Sequence, residues 1–195
     1  MAPAPIQGPE GAYNVAHALL AAALPAVTDA NGAPGRVGIA DGSVVIADCC
    51  ETGGQLWVAW HQTWPTTAFP LQQAPQAMDM KFVALGTEFE VGIIRCAPTQ
   101  DENHKEPTIA EIDASAKRMY TDSYALLGSI VCLLQEWSAA GSSVRWTSLV
   151  PIEGGGCLGS VLTVQIGFPL CPVCPGEDVS VFAGVAEGEG DGGGA

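Results

Sequence analysis

The chain has 195 residues, 48% of them hydrophobic and 14% charged, with 21 acidic side chains against 7 basic ones and a formal net charge of −14. That length holds one domain with a substantial core. The few, scattered cations exclude a protein that grips nucleic acid by neutralising phosphates, and so little charge leaves a surface partly apolar, which favours contact with other chains.

Residues 1–12, with Pro3, Pro5 and Pro9, read as a flexible N-terminal arm ahead of a single α/β domain over residues 13–170. Asn14 is a plausible cap for a short first helix through Val15, Ala18, Leu19 and Ala22 to Leu24, which Pro25 stops or bends. The Asn-Gly and Pro-Gly signals between Asp29 and Gly38 predict turns. Ser43 to Ala47 reads as a short strand. Leu56 to Trp64 reads as a second, with Leu56, Val58 and Trp60 on one face and Trp57, Ala59 and His61 on the other. An irregular connection, Trp64 to Pro75, follows. Lys81 to Leu85 and Glu88 to Cys96 then resemble two arms of a hairpin around Gly86, with Phe89, Val91 and Ile93 on one face of the second arm.

Asp101 to Glu106 forms a mostly acidic loop, and Thr108 with Glu111 makes a capping box for a long helix. Ile109, Ile112, Ala116, Met119, Leu126, Leu127, Ile130, Leu133, Leu134 and Trp137 follow the three-four spacing of one buried stripe, with Glu111, Asp113, Lys117, Arg118 and Asp122 largely off it. Gly141 caps the helix end. Strands are expected over Val144 to Val150 and Leu158 to Phe168, linked by the glycines 154 to 156. The resulting fold class is α/β (α+β): a mixed, mainly antiparallel β-sheet flanked by a short N-terminal helix and one long amphipathic helix. Residues 171–195 read as a C-terminal arm, in which Val179 to Phe182 could pair as an edge strand and the Gly-rich acidic end is disordered.

No apolar run is long enough to span a bilayer, and the alanine-rich stretch from His17 to Leu24 lacks the basic leader of a signal peptide. Seven cysteines, two of them adjacent at Cys49 and Cys50, argue against an extracellular disulfide framework and fit a reducing cytosol.

Few motifs carry chemistry. Gly155, Cys157 and Gly159 spell a cysteine version of the hydrolase nucleophile elbow, but that motif needs a helix after it and a strand pattern follows here. Cys171-Pro-Val-Cys174 could be a redox pair or half a zinc site; its prolines disfavour the redox helix, and Cys49 with Cys50 makes a poor second ligand pair. His17, His61 and His104 fall in three separate elements. No catalytic, cofactor-binding or metal-binding residue is assigned, and no cofactor is expected. The aromatic cluster Trp57, Trp60, Trp64 and Phe69 is the candidate subunit interface, with burial inside one subunit as the plainer alternative.

One ordered block resembles a known family. Val91 to Pro98 (VGIIRCAP), Pro107-Thr108 with Glu111, Asp122 to Leu127 (DSYALL), Trp146 to Pro151 (WTSLVP) and the turn Gly154 to Gly159 are similar in order to the tail terminator proteins of long-tailed, siphovirus-type bacteriophages, particularly those infecting actinobacteria. The resemblance covers about Val15 to Phe168 and does not extend past Pro169. It implies a structural virion protein without enzymatic activity. Such a protein forms a homo-oligomeric ring, usually a hexamer, that caps the tail tube and joins it to the head-neck connector. Its partners would be itself, the major tail tube protein and a head-completion or neck protein, with no membrane. DNA would pass through the lumen without sequence-specific binding. Its location would be the tail-neck junction of the virion, and the host cytoplasm during assembly. On that reading Asp101, Glu102 and Glu106 form an acidic loop at the lumen or a neighbouring subunit. Alternatives are a head-completion, adaptor or other tail-tube component and, from another class, a cytosolic cysteine hydrolase or thiol protein using Cys157, or Cys171 with Cys174.

Overall fold

Two helices lie side by side on one face of a five-stranded sheet in the computed structural model, which describes residues 11–40, 42, 49–72, 84–100 and 104–169. In chain order these elements are α1 (Gly11–Asn31), β1 (Arg36–Ala40), β2 (Gln55–Thr66), β3 (Ala84–Cys96), α2 (Ile109–Ala139), β4 (Ser143–Gly154) and β5 (Cys157–Pro169). The strand order is β1-β2-β3-β5-β4, with β1 parallel to β2 and every other pair antiparallel. This is the expected α+β class.

Period-two alternation sends Leu56 and Val58, Phe89, Val91 and Ile93, and Leu162, Val164 and Ile166 toward the helices. Val15, Leu19, Ala23 and Val27 repeat every four residues on α1, and Leu126, Ile130, Leu134 and Trp137 do the same work on α2, closing one core. The opposite sheet face carries a smaller cluster of Cys49, Trp57, Ala59, Ile94, Cys157 and Val161.

Several expectations are corrected. The first helix is not short: α1 runs 21 residues and continues through Pro25. Proline removes one backbone hydrogen bond, but Ala23 and Val27 on either side are fully buried, and that packing carries the helix past it. By length and composition alone α1 is also long and apolar enough to cross a membrane, against the expectation that no apolar run is; here its apolar face packs into the core. The helix takes residues up to Asn31 from the expected turn region, and the remainder supplies β1, a strand not foreseen.

Gly86 is no hairpin turn. It lies inside the continuous strand β3, directly beneath the indole of Trp64, as Gly92 lies beneath that of Trp57. A Cβ at either position would overlap the ring, so the absent side chain makes room for an aromatic plate rather than a bend. The β4–β5 connection is as expected, a two-residue turn at Gly155 and Gly156, both at positive φ. The α2 termini also agree: Thr108 and Glu111 form the reciprocal capping box, and Gly141 and Ser142 bond back to Ser138 and Trp137. The expected strand at 43–47, residues Asp101 and Glu102, the pair Cys171 and Cys174, and most of both terminal arms lie outside the described residues.

The cysteines overturn a second expectation. Cys49 is joined to Cys157 and Cys50 to Cys96. Adjacency was counted against pairing, yet Cys96 and Cys157 stand opposite each other in the β3–β5 register, so neighbouring cysteines each meet one of them. Among the described residues Cys132 is the free cysteine, and it is exposed. Cross-links closing loops of this size, 108 and 46 residues apart, typically stabilise by roughly 2–5 kcal/mol each. Full reduction should therefore lower the calorimetric Tm by roughly 10–40 °C, and an unchanged Tm after verified reduction of all thiols would contradict the pairing.

Candidate functional site

The β3 alternation that buries Phe89, Val91 and Ile93 also turns Arg95 inward, at the end of the strand. Its Nε donates to Asp122 Oδ2 at 3.0 Å, Nη1 to the Gly53 carbonyl at 2.8 Å and Nη2 to the Gly32 carbonyl at 2.7 Å. Asn31 completes the arrangement, its Nδ2 donating to Asp122 Oδ1 at 2.9 Å and to the Arg118 carbonyl at 3.1 Å. Both charged side chains are buried, Arg95 at 7% exposure and Asp122 at 2%. One ion pair thus ties together the end of α1, the turn before β2, the end of β3 and the middle of α2. Beside it Ser123 donates to the Met119 carbonyl at 2.7 Å, and its hydroxyl oxygen lies 2.9 Å from that of Ser160 on β5, within hydrogen-bond distance.

Neither member was recognised in the sequence. Arg95 was one of several scattered cations, and Asp122 was placed off the buried stripe. The helical spacing does put Asp122 beside that stripe; what it cannot show is an arginine arriving from a strand. Breaking a buried pair leaves an uncompensated charge and typically costs about 3–5 kcal/mol. Arg95→Ala should lose roughly that much in urea unfolding, while the double variant Arg95→Met, Asp122→Leu should recover most of it. Equal losses for single and double variants would show that the pair does not act as a unit.

Asp122 also divides α2. From Asp122 to Trp137 the helix has a buried face, whereas none of residues 109–121 is buried. The three-four stripe predicts burial throughout, but Ile109 is 82% exposed and Ile112 47%. Ile109, Ile112, Ala116 and Tyr120 line one side of this overhang, and Tyr124 continues the row onto the anchored half; both tyrosines are exposed. Its tip is held by the capping box. The Thr108 backbone N–H and then its hydroxyl hold the Glu111 carboxylate below its ordinary pKa, with the Lys105 charge adding to them.

A second exposed apolar surface lies at the other end of the helices, where α1 begins. Ala12, Tyr13, Ala16, Ile39, Trp60 and Phe89 line a groove of about 490 Å³. The Trp60 indole forms one wall and is fixed by donating to Thr63 Oγ1 at 3.0 Å.

The structure separates the aromatic residues singled out in the sequence. Trp60 faces the helix side and is half exposed; Trp57 and Trp64 are buried on the other side, their indole N–H groups without a hydrogen-bond partner among the described residues. Phe69 is half-buried near Gly167. Only Trp60 is thus an exposed tryptophan of that set, and edge-strand residue Trp146, 46% exposed, was missed. Glu106 is exposed just ahead of α2.

Among the described residues, reactive groups do not converge. His61 lies 4.0 Å from Glu88 and 3.8 Å from Glu90, and Glu88 accepts from Gln165, which in turn accepts from Arg145. This polar row belongs to the sheet face away from the helices. Cys157 opens a strand and its sulfur is bonded to Cys49, so it offers no thiol here. Among the described residues no group of three or more His, Cys, Asp or Glu is arranged to hold a metal ion. No protein-family model matches the sequence, and no curated protein matches it.

Proposed function

We propose that this chain is a structural subunit of a ring at the tail-neck junction of a long-tailed bacteriophage, capping the tail tube and meeting the head-neck connector while DNA passes through the lumen. The observation that carries this reading is the pairing of two separate stretches of the family-like block. VGIIRC supplies Arg95 and DSYALL supplies Asp122, and the two meet in the buried ion pair that organises the fold. The sequence resemblance therefore falls on residues with a shared structural job. Two apolar surfaces left exposed among the described residues suit a protein whose work is contact, and a net charge of −14 suits a lumen that must pass DNA without holding it. A ring of six copies is the expected form, with the tail tube protein and a neck protein as partners.

Antibody labelling of intact virions tests the proposal. Label at the junction of head and tail is expected; a protein absent from purified particles would sink it, and label on the head side of the connector would move it to an adaptor role.

A further inference from the structure

We propose that the overhanging half of α2, residues 109–121, seats in the apolar groove beside Trp60 of a second copy of this chain, in a head-to-tail contact. The proposal deepens the ring reading and depends on it for closure of the assembly, though not for the contact itself.

Among the described residues, nothing is buried beneath this half of the helix. About 14 Å of α2 extends past Arg118, the last residue tied to α1, at about 1.5 Å per residue, and isolated helices of that length are marginal in water. Its exposed stripe, Ile109, Ile112, Ala116, Tyr120 and Tyr124, keeps the three-four spacing that a packed face requires. Such a pattern is what a helix presents to a hydrophobic groove.

The groove matches in chemistry. Among the described residues its lining carries no charged side chain, its floor includes the buried Phe89, and Ala12 and Ala16 on α1 leave space for close approach. A volume of about 490 Å³ falls within the range that takes several buried apolar groups.

Placement excludes an intramolecular contact. Asn31, the last residue of α1, bonds to Arg118 and Asp122, so the overhang begins where α1 ends. The groove lies where α1 starts, a helix length of about 30 Å away. Projection and socket are thus at opposite ends of one molecule, which is the geometry of a heterologous interface that closes into a ring or propagates as a filament.

Charge selects a second copy as the occupant. From His104 to Thr121 three cations, Lys105, Lys117 and Arg118, balance three acids, Glu106, Glu111 and Asp113. A formally neutral projection on a chain of −14 is where another copy meets least repulsion, and the same neutrality gives a nucleic acid no foothold.

The full chain carrying a photo-crosslinking phenylalanine analogue in place of Ile112 tests this directly. Irradiation across rising protein concentration should give a dimer whose cross-linked peptide contains Tyr13 or Trp60. Trp60→Ala, a half-exposed position, should reduce that product at least tenfold with an unchanged circular dichroism spectrum. Mixing the projection variant Ile109→Asp, Ile112→Asp with the socket variant Trp60→Ala should give dimers that grow no further, since one intact contact remains between them. No cross-link at millimolar protein, or cross-links confined to other surfaces such as β4, would overturn the contact. The virion labelling is read independently: a mapped contact in a protein absent from particles leaves this inference standing and removes the phage reading.

Discussion

The ion pair between Arg95 and Asp122 is the constraint on which the arrangement of elements depends. A guanidinium and a carboxylate removed from water are tolerable only when their remaining donors and acceptors are also filled. Here that requirement is met by the Gly32 and Gly53 carbonyls and by Asn31, which belong to two stretches of chain, the end of α1 and the turn before β2. Satisfying one buried charge thus fixes where α1 stops, where β2 starts and which turn of α2 sits over the end of the sheet. Hydrophobic burial supplies the larger energy. It is not directional, and it would accept α2 slid along the sheet; the charge would not.

Fixing α2 at Asp122 has a consequence at each end of the molecule. Downstream, Leu126 to Trp137 fall over the sheet and join the core. Upstream, the capping box starts the helix well before it has anything to pack against. The other sheet face is secured differently. Trp57 and Trp64 lie flat over Gly92 and Gly86, and adjacent cysteines staple the facing ends of β3 and β5. The rigid part of the molecule is therefore cross-linked on one face and charge-locked on the other, with apolar surface left over at both helix ends.

The parts legible in the sequence were those governed by local rules. Period-two alternation located β2 and the second half of β3, the Thr108–Glu111 pair located the start of α2, and the glycines before Cys157 located the hairpin. Errors came where distant chain decided the outcome. Pro25 looked like a stop because its own chemistry disfavours a helix interior, while burial of Ala23 and Val27 by other elements overrode it. Gly86 looked like a turn because the tryptophan above it belongs to another strand. Ile109 and Ile112 looked buried because periodicity reports which face is apolar, not whether anything covers it. The disulfides were missed because a count of cysteines carries no register, and register is what sets Cys96 beside Cys157. Of the candidate surface residues, Trp60 is exposed, and the β1 ladder ends at Ala40 opposite Ala59, one residue short of it.

These features, an anchored body, a neutral helical projection and an apolar groove at the opposite end, are what the proposed contact between copies rests on. The central claim is that α2 is one helix with two states of support, divided at Asp122. Hydrogen–deuterium exchange along α2 in dilute protein measures this most directly. Amides from 126 to 137 should exchange far more slowly than those from 113 to 121, with the boundary close to Asp122. Uniform protection along the whole helix would contradict the account.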